Sequence, residues 1–204
     1  MGFVSVLGYA HELVRRRLRP GEAAVDATAG GGNDTLLLAQ LVGRTGRVIA
    51  FDIQQAALEQ TGRKLTEAGI SWVQAELGEA VGVGIVGRCE APCRLVPASH
   101  AEMGRAVGLA EGRPVGAVMF NLGYLPGADA DQTIVTCPES TLPAMEAALR
   151  LLRPGGVLTA VLYPGHPGGA EEAAAVDAWA AGLPQAEARC CFTGFITRRP
   201  RRRI

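Results

Sequence analysis

A run of three glycines between an apolar stretch and a leucine-rich stretch constrains this chain more than any other feature. The apolar stretch ends at Asp26, the glycines Gly30 to Gly32 follow, and Asn33 and Asp34 precede the leucines. This order predicts a buried strand, a tight loop and the start of a helix. Glycines let a ligand lie against bare backbone, and the first turn of a helix offers unpaired N–H groups. The loop therefore predicts a ligand site, for which a mere turn is the simpler alternative.

A second acid stands where the next predicted strand ends. Residues 47–52 form an apolar run that finishes at Asp52, twenty residues past Gly32. An acid at this place in a doubly wound sheet can bind the two hydroxyl groups of a ribose. Acids at the ends of two adjacent strands therefore predict a cofactor that contains a nucleoside.

Strands and helices alternate along the rest of the chain. We predict helices over 4–18, 34–42, 54–68, 141–153 and 169–181, and strands over 23–28, 47–52, 94–98, 115–122, 157–163 and 188–193. This alternation predicts an α/β, Rossmann-like fold, in which a doubly wound, mostly parallel sheet carries helices on both faces. With 204 residues, of which 48% are hydrophobic, the chain is expected to form a single domain over 1–204 with an N-terminal helix.

Two segments depart from the alternation. Residues 71–92 are interpreted as an insertion, with a possible helix over 72–80 and a strand or loop over 81–87. Residues 198–204 form a basic tail in which five of seven residues are arginine. The last strand of the sheet is therefore expected to be short or missing, and an open sheet edge would need cover.

Charge is balanced overall but unevenly placed. The chain has 20 basic and 20 acidic residues, yet arginines cluster in the tail and at Arg15, Arg16 and Arg17. Such clusters can hold phosphates, although a solvated helix face and a frayed tail explain them equally well. No segment reaches the roughly 20 apolar residues of a membrane span, and no signal peptide is visible. We expect a cytoplasmic protein without membrane contact and, because no second cysteine pair completes a zinc site, without metal.

Two cofactors fit the glycine loop. A dinucleotide site needs a third small residue where this chain has Thr35, and Asp34 would set a carboxylate beside the phosphates. S-adenosylmethionine carries an ammonium and a sulfonium group, and both suit the acids Asp26 and Asp34. Asn33 also suits a cofactor that ends in an amino acid.

Two loops after later strands complete the predicted site. Ser99 and His100 follow the third predicted strand, where the adenine of the cofactor should lie in a doubly wound sheet. A satisfied structural histidine is the alternative for His100. Asn121 and Tyr124 follow the fourth predicted strand, in a loop that resembles the Asn-Pro-Pro-Tyr loop of methyltransferases acting on amino nitrogens. In that loop the Asn side chain and the next carbonyl, here that of Leu122, accept hydrogen bonds from the amine, and the aromatic ring packs on the base.

Together these motifs resemble a known family over nearly the whole chain. The motifs are Asp26-Ala-Thr-x-Gly-x-Gly, Phe51-Asp-Ile-Gln54, Ser99-His100, Phe120-Asn-Leu-Gly-Tyr-Leu-Pro-Gly127 and Tyr163-x-Gly-His-Pro-x-Gly169. The chain resembles the bacterial tRNA 5-aminomethyl-2-thiouridine methyltransferases, which were formerly described as rRNA methylases and belong to the class I S-adenosylmethionine-dependent enzymes. The long insertion and the arginine-rich end are departures from the family pattern.

The resemblance implies methylation of 5-aminomethyl(-2-thio)uridine to 5-methylaminomethyl(-2-thio)uridine at the wobble position, in the anticodon loop of tRNA, by a homodimer that uses S-adenosyl-L-methionine. It implies that Asp34, Asp52, Gln54, Ser99 and His100 bind the cofactor. Asn121 and Tyr124 would be the catalytic pair, with Leu122, Tyr163 and His166 on the acceptor side. Arg15 and Arg16 would hold phosphates of the RNA.

Three alternatives stay open from the residues themselves. The acceptor could be an rRNA amine or a small-molecule amine instead. The enzyme could be a nicotinamide-dependent oxidoreductase, against which Thr35 and Asp34 speak. The chain could also be a non-catalytic RNA-binding protein. The arginine-rich carboxyl end, which differs from the family pattern, favours this alternative.

Overall fold

A single parallel sheet with helices on both faces carries all the described elements. The computed structural model describes residues 5–75, 77, 92–110, 112–126 and 131–184. Its helices are α1 (Val6–Arg17), α2 (Asn33–Val42), α3 (Gln55–Glu67), α4 (Pro138–Leu151) and α5 (Gly169–Ala181), with a 3₁₀ helix at His100–Ala110. Its strands are β1 (Ala23–Asp26), β2 (Arg47–Asp52), β3 (Trp72–Gln74), β4 (Cys93–Pro97), β5 (Val115–Asn121) and β6 (Leu152–Val161).

The strand order places the carboxyl ends of the central strands side by side. The order is β3-β4-β2-β1-β5-β6, and every neighbouring pair is parallel. The chain reverses direction across the sheet between β1 and β5, so a crevice opens there at the carboxyl edge. The predicted doubly wound α/β fold is confirmed.

Apolar side chains of the strands point alternately into two core layers. One layer lies under α1, α2 and α3 and includes Val14, Leu38 and Leu58. The other lies under the 3₁₀ helix, α4 and α5 and includes Met145 and Val176. Because both faces are covered, the central strands are apolar at almost every position, as in β1 and β5.

A partly buried ion pair fixes α1 against the sheet. The guanidinium of Arg153, in β6, donates from Nε to Oε1 of Glu22 over 2.6 Å and from Nη2 to the carbonyl of Arg17 over 2.8 Å. Glu22 is 7% exposed and also accepts the backbone N–H of Arg19. A buried carboxylate with this many partners is well compensated, so the carboxyl end of α1 is held firmly at β6.

The segment interpreted as an insertion contributes an edge strand. Residues 72–74 form β3 and pair with β4, so the helix expected over 72–80 is wrong at its start. The Trp72 ring packs against Gly62 of α3 so closely that a Cβ added to Gly62 would lie 2.4 Å from the nearest ring atom. This close packing of strand on helix decides the conformation, and three residues are too few for a strand period to be visible in the sequence.

Other predicted bounds moved by a few residues, and β6 begins at Leu152, five residues before the expected start and within the range predicted to be helical. The 3₁₀ helix at His100–Ala110 was not predicted, and α4 begins at Pro138, three residues before the expected start. A proline in the first turn suits a helix start because its missing N–H has no helical partner there. The strand expected over 188–193 and the tail over 198–204 lie outside the described residues.

Candidate active site

A cavity of about 360 Å³ opens at the carboxyl ends of β1, β2, β4 and β5. The predicted site residues that line it are Gly30, Asn33, Asp34, Asp52, Gln54, Ser99, His100, Asn121 and Tyr124. Four separate loops therefore converge as the sequence predicted. The volume falls in the range of small-molecule and cofactor sites.

The glycine loop is held open by hydrogen bonds to its backbone. The N–H of Gly30 donates to Oδ2 of Asp52 over 3.0 Å, and Oγ1 of Thr61 donates to the carbonyl of Gly30 over 3.2 Å. Gly32 has a φ of 76° and lies so near α3 that an added Cβ would stand 2.9 Å from the Cα of Thr61. Both the left-handed conformation and the close approach require glycine at position 32.

Asp26 lies beneath this loop and has no exposed surface. Its carboxylate accepts the Thr35 hydroxyl over 2.6 Å and the backbone N–H of Thr28 over 3.1 Å. Burial, and then the nearby charge of Asp34, raises the pKa of Asp26 to about 7. The structure thus places Asp26 behind the cavity wall, where its two oxygens hold the loop that the cofactor was predicted to touch. Thr35 stands where a dinucleotide motif needs a small residue, and its hydrogen bond to Asp26 explains why a threonine occupies this position.

Asp52 and Gln54 form the adjoining part of the wall. Oδ1 of Asp52 accepts the backbone N–H of Gln54 over 2.9 Å, and burial raises the pKa of Asp52. The side-chain amide of Gln54 bridges to the backbone of Asp131, donating to its carbonyl over 3.3 Å and accepting its N–H over 3.1 Å. The carboxylate of Asp52 is thereby presented at the rim of the cavity in a fixed orientation.

His100 is a wall residue with both ring nitrogens in use. Nδ1 lies 3.2 Å from the carbonyl of Ala27, which can only accept, so Nδ1 carries the proton. Nε2 lies 3.2 Å from the hydroxyl oxygen of Ser140, whose proton is donated to the carbonyl of Cys137 over 3.1 Å. Burial lowers the pKa of His100, and its ring meets Phe120 edge to face at 5.9 Å. His100 is therefore a buried side chain that lines the cavity, with each ring nitrogen near a polar atom of the chain.

The loop after β5 presents a polar atom that nothing in the described chain satisfies. The N–H of Asn121 donates to Oγ1 of Thr28 over 2.8 Å, which fixes the residue at the loop of β1. Its side-chain Oδ1 is buried and has no hydrogen-bond partner among the residues described. A buried acceptor left unpaired costs about 1–3 kcal/mol, which makes this atom a candidate to accept a hydrogen bond from a ligand. Leu122 is buried, and its N–H donates to the carbonyl of Val161 over 2.9 Å.

A buried carboxylate on α5 supports this loop, and the sequence analysis missed it. Glu172 is 1% exposed and accepts the hydroxyls of Thr136 and Thr141, each over 2.7 Å. Oγ1 of Thr136 in turn accepts the N–H of Gly123, and the carbonyl of Gly123 accepts the N–H of Thr136. Acidic residues are common in the first turn of an exposed helix, where they stabilise the helix dipole. The residue pattern therefore gave no sign that Glu172 supports a loop of the site.

Aromatic side chains flank the opening on the acceptor side. Tyr124 and Tyr163 are 47% and 48% exposed. The Tyr124 ring meets the ring of His166 edge to face at 5.9 Å. Nδ1 of His166 donates to the carbonyl of Pro167 over 2.9 Å, which leaves Nε2 as a buried acceptor without a partner in the described chain. Tyr163 and His166 adjoin the cavity but do not line it.

One contact at the cavity wall was not predicted at all. Nε2 of His11 in α1 lies 2.6 Å from Oδ1 of Asp34 in the first turn of α2. The side chain of Asp34 is 5% exposed and that of His11 is 19% exposed. The residues are 23 positions apart, and only the packing of α1 against α2 brings them together. Arg15 and Arg16 lie at the far end of α1, where Arg16 is exposed and pairs with Glu12.

Two predicted absences can be compared with the described residues. In that part of the chain no cluster of three or more histidine, cysteine or acidic side chains could hold a metal ion. No helix within the described ranges is long and apolar enough to cross a membrane.

The geometry defines a class of protein before any relative is considered. A doubly wound sheet, a glycine loop after β1 and an acid at the end of β2 form the nucleoside-cofactor site of α/β enzymes. Here carboxylates surround that loop, which favours a cationic ligand over a pyrophosphate.

Comparison with known proteins identifies the family. The model of the family described as "Putative rRNA methylase" matches residues 48–204, and this chain belongs to that family. A second model, of protein-L-isoaspartate O-methyltransferases, matches residues 3–92. The predicted family is confirmed, and membership argues against the nicotinamide-dependent alternative.

Individual relatives agree with this assignment. The chain is 39% identical over 195 residues to the chloroplastic tRNA (mnm(5)s(2)U34)-methyltransferase of Arabidopsis thaliana, which covers 93% of this chain and 64% of that relative's length. A crystal structure of a family member from Clostridium thermocellum is 36% identical, with a TM-score of 0.75 and coverage of 91% and 87%. A methyltransferase structure from Streptococcus mutans in complex with SAH is 29% identical, with a TM-score of 0.70 and coverage of 91% and 86%.

Proposed function

We propose that this protein is an S-adenosylmethionine-dependent N-methyltransferase that converts 5-aminomethyl(-2-thio)uridine to 5-methylaminomethyl(-2-thio)uridine at the tRNA wobble position. The observation that carries the proposal is the unpaired, buried Oδ1 of Asn121 at the cavity wall. A primary amine supplies the N–H donors that this acceptor lacks. The name of the Arabidopsis relative, of which the chain spans 64%, supports the same substrate.

The residues present fit S-adenosylmethionine. Asp34 and Asp52 line the cavity and Asp26 lies directly behind the loop, so the site favours a ligand that carries an ammonium and a sulfonium group. Asp52 stands where a ribose would bind, and Ser99 with His100 would wall the adenine. Asn33 begins α2, whose N-terminal N–H groups suit a carboxylate. The complex of the Streptococcus mutans relative with SAH supports this cofactor.

The chemistry asks mainly for alignment. When bound, the cofactor supplies a methyl group already activated by its sulfonium. Oδ1 of Asn121, with the carbonyl of Leu122, would accept the N–H groups of the amine and turn its lone pair toward the cavity. Tyr124 would stack on the uracil beside it, with Tyr163 and His166 completing the acceptor side. Correct alignment of this kind contributes several kcal/mol to the barrier reduction.

The RNA side of the proposal rests on charge and on loop chemistry. Arg15 and Arg16 lie at the end of α1 and can contact phosphates. A wobble base stands in a single-stranded loop, where it can be splayed out at low cost. We further propose that the enzyme acts as a homodimer in the cytoplasm.

The decisive experiment is methyl transfer to tRNA that carries the aminomethyl intermediate. The protein is incubated with cofactor and tRNA from a strain unable to complete the modification, and the digested nucleosides are analysed by mass spectrometry. We expect a gain of one methyl group on the wobble nucleoside alone. Parallel arms with rRNA and with free amines test the other acceptors. Methylation in either of those arms and not in tRNA would refute the proposed substrate.

A further inference from the structure

The contact between His11 and Asp34 lies at the wall of the cavity. Asp34 is among the lining residues, whereas His11 stands behind it on α1. The 2.6 Å hydrogen bond from the imidazole leaves one carboxylate oxygen, Oδ2, outside this contact. A nearly buried carboxylate is costly unless it is well paired or serves a ligand. The N-terminal turn of α2 and the single bond to His11 meet only part of that requirement.

The charged and titratable groups around Asp34 come from every element packed against it. The charge of Asp34 contributes, after burial, to the raised pKa values of both Asp26 and Tyr163. The charge of Asp34 therefore acts both on Asp26, at the base of the glycine loop, and on Tyr163, which follows β6. The groups that face this region are Asp26 on β1, Asp52 on β2, His11 on α1, Tyr163 after β6 and Lys64 on α3, whose ammonium binds Asn33.

The proposed reaction also requires a group that accepts a proton. An alkyl amine is protonated near neutral pH, and a protonated nitrogen has no lone pair with which to attack the methyl group. Oδ1 of Asn121 can orient the amine, but an amide cannot take its proton. Both ring nitrogens of His100 lie within 3.2 Å of other polar atoms of the chain. Nε2 of His166 is an unpaired acceptor, but His166 does not line the cavity, whereas Asp34 does.

We propose that Asp34 is the proton acceptor for the substrate ammonium and that His11 is the positioning residue that holds its carboxylate at the cavity wall. This inference rests on the proposed function. The N–H bond of the ammonium breaks and its proton moves to the Asp34 carboxylate. The freed lone pair then forms the new N–C bond while the S–C bond breaks and its electron pair stays on sulfur. The products are the thioether, a secondary ammonium and one proton, which passes from Asp34 to solvent.

The structure explains the proposed roles of both Asp34 and His11. As a carboxylate, Asp34 attracts the substrate in its abundant, protonated form, so the free amine need not be selected from solution. His11 donates a hydrogen bond that a flexible surface side chain would not hold, because the Arg153–Glu22 pair anchors α1.

The test compares pH–rate profiles of four proteins at saturating cofactor and tRNA: wild type, Asp34→Asn, His11→Ala and His11→Gln. Asparagine keeps the shape of Asp34 but cannot take a proton. We expect Asp34→Asn to lower kcat at neutral pH by about 10²- to 10⁴-fold. Its kcat should then rise about tenfold per pH unit toward pH 9, as the fraction of free amine increases. Calorimetric titration with cofactor separates this loss from a loss of cofactor affinity.

His11 is tested by rescue. We expect His11→Ala to lower kcat by about tenfold to a hundredfold through misplacement of the carboxylate. His11→Gln retains an N–H donor for Asp34 and should recover most of that loss without the steep pH dependence of Asp34→Asn. Glu12→Gln, a change of the next residue on the exposed side of α1, is the matched control.

The outcomes separate the two proposals. An active wild type whose pH–rate profile runs parallel to that of Asp34→Asn would overturn the role of Asp34 and leave the proposed function standing. Equal loss in His11→Ala and His11→Gln would overturn the positioning role of His11. A wild-type protein that does not methylate the aminomethyl tRNA would overturn the proposed function, and this inference with it.

Discussion

The cofactor half and the acceptor half of the cavity differ in how completely they satisfy their own polar groups. On the β1–β2 side, Asp26 and Asp52 bind backbone and hydroxyl groups of the loops around them. On the β5–β6 side, Oδ1 of Asn121 and Nε2 of His166 are buried without a partner in the described chain. The first half is preorganised by internal hydrogen bonds. The second half holds two acceptors without a partner, so we expect a bound substrate to add hydrogen bonds there.

The sharpest test of this comparison replaces each of two asparagines of the site by alanine in turn. Asn121→Ala should lower turnover on tRNA by about 10²- to 10³-fold, as loss of one positioned polar contact does, with unchanged cofactor affinity. Asn33→Ala, at the exposed start of α2, should change cofactor affinity more than turnover. Steady-state kinetics and calorimetry check both variants. Wild-type turnover in Asn121→Ala would remove the role of Asn121.

The second prediction concerns cofactor binding in the cofactor half of the cavity. Asp52→Ala should weaken S-adenosylmethionine binding by about 10²-fold, because hydrogen bonds to a charged group contribute about 1.5–3 kcal/mol each. The variant also frees the N–H of Gly30, so part of the loss comes from the loop. Asp52→Asn, which keeps one acceptor oxygen, should lose less. Equal calorimetric affinity in all three proteins would contradict the ribose assignment.

The third prediction tests the support of the acceptor half. Glu172→Gln can satisfy only one of the two threonine hydroxyls with an acceptor oxygen, so the Gly123 loop should shift. We expect about a tenfold rise in KM for tRNA or fall in kcat, with cofactor affinity unchanged. Glu171→Gln, the exposed neighbour on α5, serves as the control. A purely structural role for Glu172 would lower the melting temperature and leave both kinetic constants at wild-type values.

The smallest expected effect concerns stability and pH. The folded-state pKa of Asp26 is raised to about 7, above its unfolded value, so its contribution to stability is fully present below about pH 4 and is lost as pH rises through 7. The free energy of unfolding of wild type, relative to Asp26→Asn, should therefore fall by at least about 1 kcal/mol between pH 5 and pH 8. Urea unfolding at both pH values checks the sign. A relative stability that rises over this interval would contradict the raised pKa.

Local signals made much of the molecule predictable. The bounds of β2 and α5 match the predicted ranges. Both elements are apolar runs bounded by an acidic residue or a glycine, so their own residues are enough to predict where they begin and end. The positions of Asp34, Asp52, His100 and Asn121 at one cavity follow from the rule that carboxyl ends of parallel strands share one edge. Trp72–Gln74 was mistaken for the start of a helix because a short edge strand leaves no period to detect.

The sequence by itself determined the sheet, the glycine loop and the acids at its strand ends, since hydrophobic period and the backbone freedom of glycine act over a few neighbouring residues. The tertiary structure alone decided that His11 meets Asp34, that Glu172 holds the Gly123 loop through Thr136, and that Asn121 keeps an unpaired oxygen. These contacts join residues far apart in the chain. Their distances are set by how the helices pack on the sheet, and no local pattern of residue types encodes that packing.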